Sequence, residues 1–412
     1  MFTFLLFIIF YLPFQVALSP SAGVDLASGR VLIIILFLWW LAESLRQKKI
    51  IFRPKVTSGL LLAFLFLSSL SLVFSERSDW SLRKLFFLFS IVPIYFIAQA
   101  IINTEKKQEK IIKILVYSSF GTAVVGIFQF IAQFIVGREK IYQFWADYIV
   151  VLFLGKSFSE AVLENPSWLV NVAGVTYLRA TAFFPDPHML SFFLGMTVPL
   201  AIGLFCISKE RRPLHLVMAL AIILADFLTF SRGGYLGLFI GALFLLVIFF
   251  RKISRRYQIA VTFITSLVVM ACFIPSPIST RFQSSFDLKE GSNKGRLKTW
   301  SQSVEVIEQN PLGGVGLGNY PLEIKASADY REPIYSHNAY LDIAAETGIF
   351  NALIWMLFLL ATTIGLYRSN NKFLIFASAS IVIFSVHSLV ETGIYSVTVF
   401  PIFLIIASLN NE

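Results

Sequence analysis

Apolar residues run in long blocks along this chain, broken by short polar links. The blocks fall at about 2–18, 31–45, 58–75, 85–102, 111–136, 188–207, 214–230, 235–250, 259–275, 348–367, 373–390 and 395–409. Each reads as a helix crossing a hydrocarbon core of about 30 Å. No ten-residue stretch alternates polar and apolar positions, so barrel strands are excluded. The pattern predicts an all-α polytopic membrane protein of about 12 transmembrane helices. The first block has neither a basic start nor a small-residue cleavage site, so it is read as a span rather than a removable leader. No internal repeat is strong enough to argue from.

Two interruptions are long, at Gly137–Pro187 and Ser276–Tyr335. They divide the chain into five spans at 1–136, a first loop at 137–187 and four spans at 188–275. A second loop with its return segment follows at 276–347, and three spans close the chain at 348–412. Loops of this length are where function is expected.

Composition supports this class. Of 412 residues, 57% are hydrophobic and only 14% are charged, whereas a soluble chain carries about 25% charged residues. That excludes a soluble enzyme with a membrane tail, and a disordered chain. The net charge of +10 would suggest nucleic acid in a soluble protein. Here it reads as the positive-inside bias, and no nucleic-acid partner is expected. The links 46–55, 103–110, 208–212, 251–256 and 368–372, with Lys113, hold 18 Lys and Arg against Glu105, Glu109 and Glu210. They alternate so as to share one face, the cytoplasmic one, which puts both termini inside. Cys206 and Cys272 then fall on opposite faces, too far apart for a disulfide.

Both loops carry their own structure. In the second, Leu297, Trp300, Val304 and Ile307 recur at helical spacing and predict a short amphipathic helix, ended by Pro311 and the glycines that follow. In the first, 142–155 is an apolar stretch suited to a re-entrant or interfacial helix.

Charge at membrane depth is costly, so each such residue is a functional candidate. Arg232, in Ser231-Arg232-Gly233-Gly234, sits between two spans at the outer boundary. It reads either as a snorkelling arginine in a tight turn or as a phosphate ligand beside a helix start. Asp226 is a possible partner one turn earlier. Arg179 precedes an aromatic-proline turn, then Asp186 and His188; Asp186 suits a helix cap. Arg296 lies in a basic cluster with Lys294 and Lys298, and also reads as a solvated charge. His337 lies where the second loop returns to the membrane. It is either structural or a general base, with Asn338, Asp342 and Glu346 available to orient it. Tyr340 fits an interfacial aromatic belt. His387 and Glu391, four apart on one helix, read as satisfying each other. Gly314, Gly316 and Gly318 imitate part of a dinucleotide loop, but no strand–helix unit surrounds them, and they read as a turn. No metal-ligand spacing appears.

Several of these segments resemble the O-antigen ligase and polymerase superfamily of bacterial membrane glycosyltransferases. They are SRGGYLG at Ser231–Gly237, GRLKTW at Gly295–Trp300, NPLGGVGLGNY at Asn310–Tyr320 and SHNAYLDIAAETGIF at Ser336–Phe350. RATAFFPDPHMLS at Arg179–Ser191 fits more loosely, and the first five spans match only in hydropathy. The resemblance implies a C-type glycosyltransferase-like bundle with a helical periplasmic loop domain, in the bacterial inner membrane. It implies metal-independent, inverting transfer of glycan from an undecaprenyl diphosphate-linked donor to an acceptor hydroxyl, without a cofactor. By that resemblance His337 is the base. Arg232 and Arg296 hold the diphosphate, Arg179 is a third contact, and Asn338, Tyr340, Asp342, Glu346 and Asp186 support them.

The acceptor stays open at this level. Lipid A-core makes the protein a ligase, and another lipid-linked glycan makes it a polymerase; the single large second loop favours the ligase. A lipid-linked glycan flippase is the alternative from another class. A flippase should carry charge at mid-depth, whereas here the polar residues gather at one face.

Overall fold

The computed structural model describes residues 1–412 apart from 22–23, 50–53, 157–166, 173, 209–210, 250–254, 256–257, 260–261, 264–265, 267–269, 271–272, 285–286, 288–290, 331, 333 and 411–412. The apolar blocks become helices. The first set is α1 (Phe2–Tyr11), α2 (Ser28–Arg46), α3 (Val56–Leu70), α4 (Ser78–Ile91), α5 (Pro93–Ile101) and α6 (Glu105–Ile135). The first loop holds α7 (Arg138–Phe144) and α8 (Val151–Leu154), joined by a π-helical turn. Then come α9 (Pro187–Ile207), α10 (Arg212–Phe227) and α11 (Arg232–Phe249). The second loop holds α12 (Pro277–Gln283), α13 (Gly291–Gln309), α14 (Tyr320–Ile324) and α15 (Ala339–Thr347). The last helices are α16 (Ile349–Arg368), α17 (Lys372–His387) and α18 (Val399–Ser408).

Each predicted span except the ninth coincides with one or two of these helices. The ninth lies largely outside the described residues, as do Cys272 and most of the 251–256 link. Among the described residues, six helical segments are long and apolar enough to cross a membrane: Ser28–Arg46, Val56–Phe74, Ser78–Ile101, Glu105–Ile135, Pro187–Ile207 and Ile349–Arg368. Shorter apolar helices pack among them, at Phe2–Phe14, Arg232–Ile248, Lys372–His387 and Val399–Ser408. The protein is an all-α polytopic membrane protein. Its described strands form two small antiparallel hairpins, β1 (Ala17–Ser21) with β2 (Val24–Ala27) and β3 (Leu169–Val172) with β4 (Val175–Leu178). The first hairpin explains why the opening helix ends at Phe14 and not at 18: the chain leaves it to pair with itself.

The innermost helix is α9. Its sequence is apolar on every side, and it packs against α17, α10, α6 and α11. Polar pairs fix the register between helices where lipid offers no hydrophobic drive. Examples are Asn351 Nδ2 to Ser68 Oγ at 3.0 Å and Gln15 Nε2 to Thr398 Oγ1 at 2.7 Å.

The bundle has two chemically distinct ends. At one, Lys55 Nζ donates to the Asn410 carbonyl (3.0 Å), Gln108 Nε2 to the Leu409 carbonyl (2.9 Å), and Asn371 Nδ2 to Gln108 Oε1 (2.7 Å). Lys107 lies over the Phe2 ring at 5.4 Å. The links at 46–55, 103–110 and 368–372 thus meet the first and last helices at one basic end. The two long loops occupy the other.

The 138–154 segment is helical, as expected of an interfacial stretch. It is held down by Trp145 Nε1 donating to the Ala182 carbonyl at 2.7 Å. Helix α13 forms where the apolar spacing predicts it, and only part of its apolar stripe packs on protein. Leu297 and Val304 are exposed, while Val306, Ile307 and Ser303 are buried. The reason is polar docking: Ser303 Oγ meets Tyr320 Oη at 2.7 Å, and Thr299 Oγ1 donates to the Ser336 carbonyl at 3.4 Å.

Candidate functional site

Asn338 starts the site. Its side chain caps α15, accepting from the backbone N–H of Tyr340 (3.0 Å) and Leu341 (3.2 Å). The preceding residue, His337, has φ +54°, the left-handed conformation that histidine tolerates better than most. That bend turns the imidazole out of the helix line and towards the turn after α17. There His337 Nδ1 meets Glu391 Oε1 at 2.8 Å, and Arg296 Nη2 from α13 approaches Glu391 Oε2 at 3.8 Å. The His337 side chain is 42% exposed and Glu391 11%. Among the described residues the imidazole Nε2 has no protein hydrogen bond.

The charges follow from this layout. The Glu391 carboxylate raises the His337 imidazole above its ordinary value, against burial and the Arg296 charge. Burial pushes Glu391 up, but His337 and Arg296 outweigh it and hold the carboxyl well below the usual range.

The acids read beforehand as orienting His337 do other work. Asp342 accepts from Ser336 N (2.9 Å), Ser336 Oγ (2.7 Å) and Thr392 Oγ1. It therefore clamps the His337 loop to the Glu391 turn. Glu346 pairs with Lys84 Nζ at 2.6 Å and accepts from Tyr395 Oη at 3.3 Å. Tyr340 is anchored by Oη to the Ser385 carbonyl at 2.8 Å. None of these side chains hydrogen-bonds to His337. The residue that does is Glu391, which helical spacing alone assigns to His387. Helix α17 ends at His387, and the turn that follows carries Glu391 away from it. One signal was available: Glu391-Thr392-Gly393 repeats Glu346-Thr347-Gly348 at a second span boundary.

Arg232 is 5% exposed at the start of α11, and its Nη1 reaches the Ser284 carbonyl at 3.4 Å. The two glycines after it are dictated by packing. A Cβ on Gly233 would stand 2.5 Å from His387 Cδ2, and one on Gly234 would stand 1.8 Å from Ser191 Oγ. Asp226 does not pair with Arg232. Its Oδ1 accepts from Ser191 Oγ, and its Oδ2 has no hydrogen-bond partner among the described residues. Beside it, Ser231 Oγ lies 2.9 Å from His188 Nδ1 and 3.4 Å from His387 Nε2.

Arg179 is buried, and its nitrogens are directed at the fold. Nε donates to the Thr229 carbonyl (2.7 Å), Nη1 to the Ser167 carbonyl (3.0 Å), and Nη2 lies 3.5 Å from His188 Nε2. Burial, with the Arg281 charge, pulls the guanidinium down to about 9. It ties the second hairpin to the turn before α11. Asp186 caps α9, accepting from His188 N (2.7 Å) and Met189 N (2.9 Å). Burial and Glu391 push its carboxyl up to about 6. The structure thus brings Arg296, His337 and Glu391 together, with Arg179, Asp186 and His188 within electrostatic reach of Glu391. No group of three or more His, Cys, Asp and Glu suited to a metal occurs among the described residues.

A many-spanning bundle with a polar site at its loop end defines a membrane protein built to act at an interface. Residues 216–356 match the family model described as O-antigen ligase. The chain is 26% identical over 329 residues to the ComP-specific O-oligosaccharyltransferase of Acinetobacter baylyi. That alignment covers 68% of this chain and 59% of the relative, so the chain spans little more than half the length of the protein it matches. Over residues 216–356, about a third of the chain, the protein is thus similar to the O-antigen ligase family. The family match includes Arg232, Arg296, His337 and Glu346; Arg179, Asp186 and Glu391 lie outside it.

Proposed function

We propose that this protein is a membrane glycosyltransferase that moves glycan from an undecaprenyl diphosphate-linked donor to an acceptor hydroxyl. The site lies on the periplasmic face of the bacterial inner membrane, with the basic end and both termini in the cytoplasm. The observation that carries the reading is the His337–Glu391 pair beside Arg296. Glu391 accepts from Nδ1–H, which leaves Nε2 as the proton acceptor. Nε2 takes the proton of the acceptor hydroxyl as its oxygen attacks the anomeric carbon, and the imidazolium formed is stabilised by Glu391. The bond to the lipid diphosphate breaks on the opposite face, which inverts the anomeric centre. Arg296 and Arg232 neutralise the departing diphosphate. Arg179 acts mainly by positioning the Arg232 turn. No metal or nucleotide enters this scheme.

Within it, the ligase role with lipid A-core as acceptor is the first reading. The Acinetobacter relative, a ComP-specific O-oligosaccharyltransferase, favours a second, transfer of the oligosaccharide to a protein side chain. Reconstituted protein is given undecaprenyl diphosphate glycan with lipid A-core, with a second lipid-linked glycan or with a protein acceptor, in excess EDTA and without nucleotide. Product on lipid A-core supports the ligase; longer lipid-linked glycan supports a polymerase. Glycan that crosses the bilayer with no product in any arm overturns the enzyme reading in favour of a flippase. His337→Ala is expected to lower transfer by about 10²–10⁴-fold with insertion intact. Arg232→Lys is expected to fail as well, because an ammonium does not replace a planar fork.

A further inference from the structure

A second cluster of cations lies at the loop end, on the first half of the chain. Two of its members are neutralised: Arg77 by Asp79 (3.0 Å) and Lys84 by Glu346. Arg30 and Arg83 are not. Among the described residues neither has a carboxylate within salt-bridge distance, and each is held against an aromatic ring. Arg83 lies over Tyr330 at 5.1 Å and Arg30 over Phe87 at 5.4 Å, with Arg30 Nε donating to Ser90 Oγ at 2.9 Å. Trp80 braces Tyr330 edge-to-face at 5.5 Å, and Phe87 meets Tyr395 at 6.4 Å. Burial pushes the Tyr330 hydroxyl up, and the charges of Arg83 and Arg30 both oppose it, so the three share one neighbourhood. Tyr335, 40% exposed, sits within electrostatic range of both Tyr330 and Glu391. Unneutralised guanidiniums thus connect through tyrosines to the His337 site.

Guanidinium forks recognise phosphate and carboxylate. Ring faces suit the apolar faces of sugars. We propose that Arg83, Arg30 and Tyr330 form a subsite for a saccharide bearing phosphate or carboxylate, which holds the acceptor while its hydroxyl reaches His337. This rests on the glycosyl-transfer reading for its purpose but not for its binding chemistry.

Binding is therefore measured without donor and without transfer, so that failure of one idea is distinct from failure of the other. The full chain is placed in phosphatidylcholine nanodiscs and titrated with a fluorescent phosphorylated disaccharide and with its dephosphorylated form. The phosphorylated probe is expected to bind at least about tenfold more tightly. Arg83→Ala should erase that difference, and Arg83→Lys should restore it in part. Tyr330→Ala should weaken both probes. Arg46→Ala, a surface change at the basic end, serves as the control and should alter nothing. Equal binding of the two probes, or an unchanged preference in Arg83→Ala, overturns the proposal. Loss of phosphorylated-probe binding when phosphatidylglycerol replaces phosphatidylcholine assigns the cations to lipid headgroups and overturns it as well.

Discussion

Gly234→Ala is a single methyl group whose effect can be worked out from three distances. The added Cβ would stand 1.8 Å from Ser191 Oγ, 3.1 Å from Ser191 Cβ and 3.4 Å from Asp226 Oδ1. The first contact is impossible, so the Ser191 hydroxyl must rotate away and give up its hydrogen bond to Asp226. Asp226 is fully buried and its other oxygen is already unpaired. Its carboxyl would then lack any partner among the described residues. Forcing a methyl into a filled core costs about 1–3 kcal/mol. Losing the hydrogen bond at a buried acceptor costs about 1–3 kcal/mol more. Alanine's better helix propensity returns about 1 kcal/mol. The net is a loss of about 1–5 kcal/mol, centred near 3. The assay is an equilibrium denaturant titration of purified protein in mixed micelles. Gly59→Ala is the control, because nothing lies within 4 Å of its added Cβ; it should be neutral or slightly stabilising. The double change Gly234→Ala with Ser191→Ala removes the clashing oxygen, so it should cost less than the sum of the two single changes. Wild-type stability in Gly234→Ala, or strict additivity in the double variant, would refute the packing argument.

Glu391→Gln removes the charge that raises His337, so the imidazole pKa falls. If neutral His337 is the base, the acid limb of the pH–rate profile moves to lower pH and the plateau drops; a limb that stays in place rules His337 out as the titrating group. Lys84→Met leaves Glu346 buried without its cation and should destabilise by about 3–5 kcal/mol, while adding Glu346→Gln should recover most of that, read on the same titration. Trp145→Phe loses the bond to the Ala182 carbonyl and should raise hydrogen exchange in 138–154 with the rest of the chain unchanged. Transfer should persist after exhaustive chelation, measured with the purified enzyme.

Most of the bundle was legible because crossing a hydrocarbon core leaves a helix-length apolar run, and such a run needs no knowledge of its neighbours. Short polar links also mark the basic end, where 46–55, 103–110 and 368–372 meet, since charge there is a local property. The hairpins were not legible: four-residue strands such as Val175–Leu178 carry too few positions to show a period. The site was half legible. His337, Arg232 and Arg296 stand out because charge beside an apolar run is rare. Glu391 was visible for the same reason but given the wrong partner. Helical spacing assigns neighbours only while the helix lasts, and nothing in Ser388-Leu389-Val390 marks its end. Which part of the α13 stripe packs on protein is not legible, because Ser303 and Thr299, which dock it, are polar and so invisible to an apolar pattern.

The clamp on His337 also sets when the site can exist. Helices enter a membrane in chain order as synthesis proceeds, and His337 is made 54 residues before the carboxylate that holds it. Asp342 likewise waits 50 residues for Thr392, whereas Glu346 finds Lys84 already 262 residues behind it. The second loop therefore docks first onto the early helices through Lys84, and the His337–Glu391 pair closes only when the turn after α17 arrives. A nascent chain halted between residues 346 and 391 would carry a docked loop and every arginine of the site, yet lack the carboxylate that holds His337. The His337–Glu391 pair is thus completed only once the turn after α17 has been made.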